Sequence, residues 1–401
     1  MKFSINTKEF EENLIKLREE LNNSLLKGKK VSNDFEDELL ELEEKQEEME
    51  KELLSYFRSY GDSIYESKLE ITPINLEGSF KSESYIKSSL KLDENIFLFS
   101  YINQKVHMAK IIDEDKEKIE LSQAIKNFED LIIYMEKIND NKTLVFTISG
   151  GIYILSYEDI EDVFENISSL KISKLKKTFQ GFENVVKIEK NKFLCQKSRN
   201  HITVLEFKED YSDVKVIVDE EISIKKDEIS SLVDIGEENF LIGTRDGFLI
   251  KGEYKNASIN IKEKIRIFRG PLNKLFLLEN FNIQKKFCAC LGNDGSLSLF
   301  NFKKNIIKRL GNEKIKGNLF DIGSKLGASI ILSEDGLLYT LEEKMGEWNL
   351  NEDLTKSDLF YANIILLDSS YYLAIDIYGN FSKIQIDSLN SIEKLYNLKL
   401  F

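Results

Sequence analysis

Two hydrophobic periods divide the chain. Over the first 66 residues apolar side chains recur at helical spacing: after a capping-box-like start at Asn6 and Glu9, Phe10, Leu14, Leu17, Leu21 and Leu25 fall four, three, four and four apart. Gly28 follows where a left-handed closing residue is wanted, and Lys27, Lys29 and Lys30 lie near the negative end of the helix dipole. Asn33 and Glu36 repeat the start signal. Phe35, Leu39, Leu42, Gln46, Met49, Leu53 and Tyr56 then hold a four-three heptad spacing that stops before Gly61. So short a connection predicts an antiparallel helical hairpin over residues 1–66. Its coiled-coil-like seam of Phe35, Leu39, Leu42, Met49 and Leu53 can close on the first helix and the following domain, or serve oligomerisation or a partner helix.

From about residue 85 the period changes to short apolar runs separated by turn residues. Two-residue turns at Asn103-Gln104, Gly150-Gly151, Arg199-Asn200, Asp246-Gly247, Asp294-Gly295, Asp335-Gly336 and Tyr378-Gly379 are 47, 49, 47, 48, 41 and 43 residues apart. Gly or Asn at the second position of six of them suits the positive φ of a type I′ hairpin turn. Five residues before the turns stand Leu98, Val145, Leu194, Leu241, Ala289, Ile330 and Leu373. Three after them stand Val106, Tyr153, Ile202, Leu249, Leu297, Leu338 and Phe381. The positions on either side of the first column are also mostly apolar, which marks strands buried on both faces. Further runs precede them (Leu131 to Ile138, Ser230 to Ile235, Leu275 to Glu279, Ile364 to Asp368) and follow them (Val214 to Val218, Ile259 to Ile265).

Four short antiparallel strands per unit, repeated seven times, predict a mainly β chain: a seven-bladed β-propeller over residues 67–401, preceded by the helical hairpin. The repeat resembles the WD40-like β-propeller superfamily, although no unit carries the Gly-His or Trp-Asp dipeptides and Trp348 is the only tryptophan. The resemblance implies a propeller fold and a tendency to bind partners, and no particular activity. Either Leu69 to Leu76 or Ile392 to Leu400 could supply the last outer strand, and Pro73 suits an outermost position.

Composition narrows the functional classes. In 401 residues, 42% hydrophobic content supplies a large core and excludes wholesale disorder. No run approaches eighteen consecutive apolar residues, and Met1 to Phe10 lacks the h-region of a secretory signal, so a cytoplasmic protein without membrane contact is expected. Three cysteines (Cys195, Cys288, Cys290) and two histidines (His107, His201) provide neither a disulfide framework nor a His-rich metal centre. Forty-nine Lys against seven Arg, with abundant Ile and Asn, fits an AT-rich bacterial genome.

Charge is unevenly distributed within the net −14. Residues 170–316 carry +9, while 1–66, 67–169 and 317–401 carry −8, −8 and −7. Within this basic sector Lys174, Lys176 and Lys177 cluster, Lys262, Lys264 and Arg266 alternate along a strand, and Lys303, Lys304 and Lys308 form a third group. They are candidates for contacting an acidic protein partner or another anion, and equally resemble a solvated rim that blunts sheet edges.

Other residues that look chemical have structural explanations. Asp246, Asp294 and Asp335 precede Gly in hairpin turns, and Cys288 and Cys290 occupy columns held elsewhere by Phe, Leu and Ile. Asp113, Asp115 and Glu117 resemble the opening of a calcium loop, but Lys118 and Ala124 stand where Gly and Glu are needed. No phosphate-binding loop, nucleophile elbow or His-Glu-x-x-His is present, and no catalytic, cofactor or metal residue is assigned. Helical spacing of Ile160, Val163, Phe164 and Ile167 predicts a short helix that plugs a gap between blades or touches a partner. The expected function is a non-enzymatic interaction scaffold, with the hairpin docking or oligomerising. A recognition subunit for an anionic ligand or nucleic-acid backbone, and a hydrolase or lyase using a carboxylate cluster in the funnel, are the alternatives.

Overall fold

The computed structural model describes Leu69–Ile386 apart from 78–85, 114, 126–127, 178, 223–226, 279–286, 303–305, 311–318, 326–327, 334–335, 345–346, 354–359 and 368–370. The chain separates into two units, Met1–Glu66 and Ser67–Phe401, and every described residue belongs to the second. The expected hairpin, with its seam of Phe35, Leu39, Leu42, Met49 and Leu53, lies outside the described residues. Among the described residues the one α-helix is α1 (Ile160–Glu165).

The rest is β structure. In chain order the strands are β1 (Leu69–Glu77), β2 (Ile86–Lys91), β3 (Ile96–Tyr101), β4 (Val106–Ile111) and β5 (Lys118–Leu121); β6 (Ile132–Asn139), β7 (Lys142–Thr147), β8 (Ile152–Ser156) and β9 (Lys171–Lys174); β10 (Asn184–Glu189), β11 (Lys192–Ser198), β12 (His201–Phe207) and β13 (Val214–Glu221). There follow β14 (Ile229–Gly236), β15 (Asn239–Thr244), β16 (Phe248–Lys255) and β17 (Ser258–Arg266); β18 (Leu272–Leu278), β19 (Phe287–Gly292), β20 (Leu297–Asn301) and β21 (Ile306–Leu310). The last are β22 (Leu319–Lys325), β23 (Ala328–Ser333), β24 (Leu338–Lys344), β25 (Glu347–Asp353), β26 (Tyr361–Leu366), β27 (Tyr371–Asp376) and β28 (Phe381–Ile386).

Strand pairing corrects the expectation of seven separate four-stranded blades. Five blades are four-stranded sheets, β6–β9, β10–β13, β14–β17, β18–β21 and β22–β25, and the remaining eight strands form one sheet in the order β2-β3-β4-β5-β1-β28-β27-β26. The cause is β1, which pairs antiparallel with β28 from Leu69↔Ile386 to Ile74↔Phe381 and then parallel with β5 from Asn75 to Glu77. Pro73 sits opposite Ser382, before the parallel pairing begins, where its missing N–H costs nothing. The first strands of successive groups touch in turn, β2 on β6, β6 on β10, β10 on β14, β14 on β18, β18 on β22 and β22 on β26, and β26 returns to β2. The result is a closed ring.

Side-chain burial follows the repeat. Leu98, Val145, Leu194, Leu241, Ala289, Ile330 and Leu373 are all buried, and so are Phe99, Phe146, Cys195, Ile242, Cys290, Ile331 and Ala374 beside them. Neighbouring residues on a strand point to opposite faces, so these strands are covered on both sides. One cluster joins Leu241 and Leu249 of one blade to Leu275, Cys288, Cys290 and Phe300 of the next, and Phe146 meets Phe193 of the following blade at 5.3 Å between ring centroids. Each such side chain removed from water contributes about 1.5–3 kcal/mol, which only neighbouring sheets can supply.

Polar side chains tie the inner strands together. Ser88, Asn184, Ser231, Lys274, Asp321 and Asn363 occupy equivalent positions, opposite Ser100, Gln196, Gly243, Leu291, Leu332 and Ile375. Ser231 Oγ accepts from the Leu275 N–H at 3.1 Å, and Asp321 Oδ2 accepts from the Ile364 N–H at 3.1 Å, so each satisfies a donor on the open edge of the next inner strand. The other oxygen of Asp321 pairs with Lys274.

Hairpin geometry corrects the type I′ assignment, which requires positive φ at both central residues. Among the described residues it falls on the last loop residue in six turns, Gln104, Gly150, Gly247, Gly295, Gly336 and Gly379, with φ of 68°, 91°, 79°, 79°, 77° and 83°, and in the third repeat on the first turn residue, Arg199, at 33°, between the paired Ser198 and His201. The N–H of Gly247 bonds the Thr244 carbonyl at 3.0 Å, and Gly150, Gly336 and Gly379 repeat the contact with Thr147, Ser333 and Asp376. These are three-residue loops with one left-handed closing residue. In the second repeat that residue is Gly150, one place earlier than the Gly150-Gly151 register predicts. Helix α1 is capped by Asp159, which accepts from Glu161 N–H at 2.9 Å. Val163 and Phe164 are buried with Leu92, Ile96 and Met108 on one side and Val145, Tyr153 and Leu155 on the other, so α1 fills a gap between neighbouring sheets.

Leu241→Asp places a carboxylate between two sheets and should cost about 3 kcal/mol or more, read as a large fall in denaturant midpoint. An unchanged midpoint contradicts the packing. A Cβ on Gly247 would meet the Phe268 and Gly270 carbonyl oxygens at 2.4 and 2.5 Å, whereas Gly236, also at positive φ, has open space around it. Gly247→Ala should therefore destabilise clearly more than Gly236→Ala, which incurs only the left-handed backbone penalty of about 1 kcal/mol.

Candidate functional site

The hairpins between second and third strands all project at one end of the ring, because every group runs in the same direction. Turn chemistry favours polar residues at such tips. Three tips break the rule: Ile102 is 55% exposed, Ile148 44%, Ile377 40% and Tyr378 69%. Phe360, 46% exposed, joins them, since its carbonyl accepts from the Ile377 N–H at 3.0 Å. Of the eight large apolar side chains exposed among the described residues, these are five.

Their carriers are consecutive around the ring, since β26 touches β2 and β2 touches β6. Sheets pack about 10 Å apart, so the tips form one arc rather than scattered points. The arc is also rigid. Ile148 donates to the Leu131 carbonyl at 2.9 Å and accepts from the Phe182 N–H at 3.0 Å, while the Tyr378 and Asn380 N–H groups both bond Asp376 Oδ1 at 2.8 Å. Beyond Ile148 the tips become polar. Arg199 and Arg245, largely exposed, share the Glu228 carboxylate at 3.3 and 3.2 Å, and Asn293 and Asp294 follow. Asp294 Oδ1 accepts from the Ser296 N–H at 3.0 Å, and hydrogen bonding from the Ser296 side chain and backbone holds its pKa down.

The basic residues singled out by sequence do not converge on one site. Lys174 ends β9, where it pairs with Glu129 and lies over the Tyr153 ring, and Lys176 and Lys177 follow, exposed. Lys262, Lys264 and Arg266 are brought together on β17. There Lys262 pairs with Glu253 at 2.8 Å, and Lys264 and Arg266 lie over the Phe248 ring at 4.1 and 5.3 Å. Lys308 stands in β21 opposite Leu299, and Lys303 and Lys304 lie outside the described residues. Strands β9, β17 and β21 are each the last strand of a different sheet. Lys174 on β9 and Lys262 on β17 already face carboxylates, which weakens the basic character of both groups.

Cys195, Cys288 and Cys290 are fully buried; burial pushes the Cys195 thiol well up, and a hydrogen bond with Cys288, then burial, does the same for Cys290. His107 is buried with Nδ1 2.8 Å from the Ser122 carbonyl, and His201 Nε2 meets Asp219 at 2.9 Å in another sheet. Asp113 caps its own loop, accepting from the Glu117 and Lys118 N–H groups at 3.0 and 2.9 Å, and Asp335 lies outside the described residues. Two carboxylates on the inner strands face lysines: Glu136 meets Lys187 at 2.7 Å, and Asp321 meets Lys274. Among the described residues no three His, Cys, Asp or Glu side chains are placed to hold a metal ion. Among the same residues no helix is long and apolar enough to cross a membrane.

No protein-family model and no curated protein matches this chain. Among solved structures it is similar to the crystal structure of the WD40 β-propeller domain of Doa1, with a TM-score of 0.55 and 8% sequence identity over 80% of this chain and 97% of that one. At that identity the likeness is one of fold, and the fold is that of a WD40-like β-propeller.

Proposed function

We propose that this protein is a non-enzymatic interaction scaffold whose partner, another protein, docks on the arc of Phe360, Ile377, Tyr378, Ile102 and Ile148. The observation that carries the reading is the concentration of exposed apolar side chains on consecutive hairpin tips of one ring end. Exposed apolar surface on a rigid backbone loses little conformational freedom on binding, and an exposed aromatic such as Tyr378 is the residue type that anchors interfaces. The partner-binding tendency of WD40-like propellers points the same way. In this reading residues 1–66 form a separate module for docking or oligomerisation, and the β17 stripe of Lys262, Lys264 and Arg266 orients an acidic partner by long-range attraction. Binding of an anionic ligand or nucleic-acid backbone through that stripe is the second reading, supported by the two cations held over Phe248.

Two variants separate the readings. Ile102→Asp/Ile148→Asp/Tyr378→Asp changes only exposed tips, so its stability should stay within about 1 kcal/mol of the wild type, while affinity for cross-linked and identified partners falls at least tenfold, about 1.4 kcal/mol. Lys262→Glu/Lys264→Glu/Arg266→Glu should slow association and flatten its salt dependence, leaving the complex intact. Wild-type affinity in the tip variant, with loss of binding in the β17 variant, would replace the scaffold reading by the second.

A further inference from the structure

The hairpin tips that follow the apolar arc carry a different chemistry, built on arginine. The chain holds 49 Lys against seven Arg, yet Arg199 and Arg245 stand in the turns after β11 and β15, and Arg269 lies just beyond β17. The first two belong to adjoining blades, since β10 touches β14. Both reach one carboxylate through Nε: Arg199 meets Glu228 Oε1 at 3.3 Å and Arg245 meets Oε2 at 3.2 Å, and their side chains remain 79% and 66% exposed. One negative charge thus serves two positive ones. Arg269 joins from the same blade as Arg245. The Gly247 carbonyl accepts from the Ile267 and Phe268 N–H groups at 2.9 and 3.1 Å, which lays this segment against the Arg245 turn. Arg269 is exposed there, and among the described residues no carboxylate pairs with it.

Arginine at these places points to a particular ligand chemistry. A guanidinium is a planar fork that takes a carboxylate through two parallel hydrogen bonds, which an ammonium cannot do, so its use is informative in a chain that otherwise prefers lysine. Acids stand in the same row. Asp246 is exposed in the Arg245 turn, and Asp227 is buried, accepting from the Glu228 and Asp246 N–H groups at 2.8 and 2.9 Å. They divide the row into separate positive points. Carboxylates of a protein segment can meet such points one by one, whereas the evenly spaced charge of a nucleic-acid backbone would meet the acids as well. The row also continues the apolar arc, because the Ile148 blade adjoins the Arg199 blade through β6 and β10.

We propose that Arg199, Arg245 and Arg269 bind carboxylates of an acidic protein segment whose apolar side chains fill the neighbouring arc. The inference rests on the docking reading above and adds the chemistry of the partner: apolar residues in one part of the segment, Asp or Glu in the next. Apolar contact supplies affinity on the arc, and the arginines select which apolar segment is held and fix its direction.

The experiment measures binding of the full chain to two labelled synthetic peptides by fluorescence anisotropy. One has leucines in its first half and glutamates in its second, and the other has glutamines in place of the glutamates. The expected result is saturable binding of the glutamate peptide, at least tenfold tighter than that of the glutamine peptide. Arg245→Gln/Arg269→Gln changes two exposed side chains, so it should melt as the wild type does, bind the glutamate peptide at least tenfold more weakly and bind the glutamine peptide unchanged. Ile102→Ser/Ile148→Ser/Tyr378→Ser should weaken both peptides alike. If that variant binds both as the wild type does while the arginine variant still discriminates, the arginine row stands and the docking reading of the arc fails. Equal binding of the two peptides, undiminished binding of the glutamate peptide by the arginine variant, or no saturable binding overturns the proposal. Tighter binding of a single-stranded DNA of matched charge overturns it in favour of a nucleic acid.

Discussion

Burial of the middle strands on both faces governs this fold. A four-stranded sheet whose second and third strands are apolar on both sides cannot stand alone; it needs a neighbour above and below. A row of such sheets satisfies every member except the two at its ends, and only a ring removes the ends. Strand β1 performs the joining, hydrogen-bonding β28 along one edge and β5 along the other. Its side chains enter both flanking cores: Leu69 packs with Ile330, Tyr361 and Ile384, and Ile74 with Phe97, Phe99 and Phe381. The same contacts that complete the last group of strands thus fuse it to the first.

Once the ring is closed, its hairpin tips become places of display. The tips at one end need only a closing residue of positive φ and a strand-end side chain such as Thr147, Thr244, Ser333 or Asp376 to hold the loop. Their outermost residues are consequently available, and in three successive tips they are apolar. The fold sets where side chains can be displayed, and what is displayed there carries the functional proposals.

Much of this was legible in the chain. The columns headed by Leu98 and Val106 are buried throughout, the outer strands at Val214 and Ile259 are present as β13 and β17, and the Leu69 segment closes the sheet. Period-2 and double-sided burial are local properties, and local properties leave a local trace. Sheet continuity is not local: nothing in Asn75, Leu76 and Glu77 announces a parallel pairing with Lys118, Ile119 and Glu120, so separate blades were the expectation there. The apolar tips were visible in principle, as isoleucine at loop positions 102, 148 and 377, but their turns read as punctuation and their adjacency needed the ring. Charge runs misled for the opposite reason. Lys174, Lys262 and Lys308 are near in composition, yet each belongs to the last strand of a different sheet.

The dependence of the whole ring on its closure is tested most directly by native-state hydrogen exchange on the protein and on a Leu69→Asp/Ile74→Asp variant. Both substitutions lie in β1, and β15 lies on the far side of the ring. If closure supports every sheet, the variant loses protection in β15 amides as well as in β1 and β28, by a similar free energy throughout. Wild-type protection in β15 alongside free exchange in β1 would show that the blades are stable without closure, and would contradict the account.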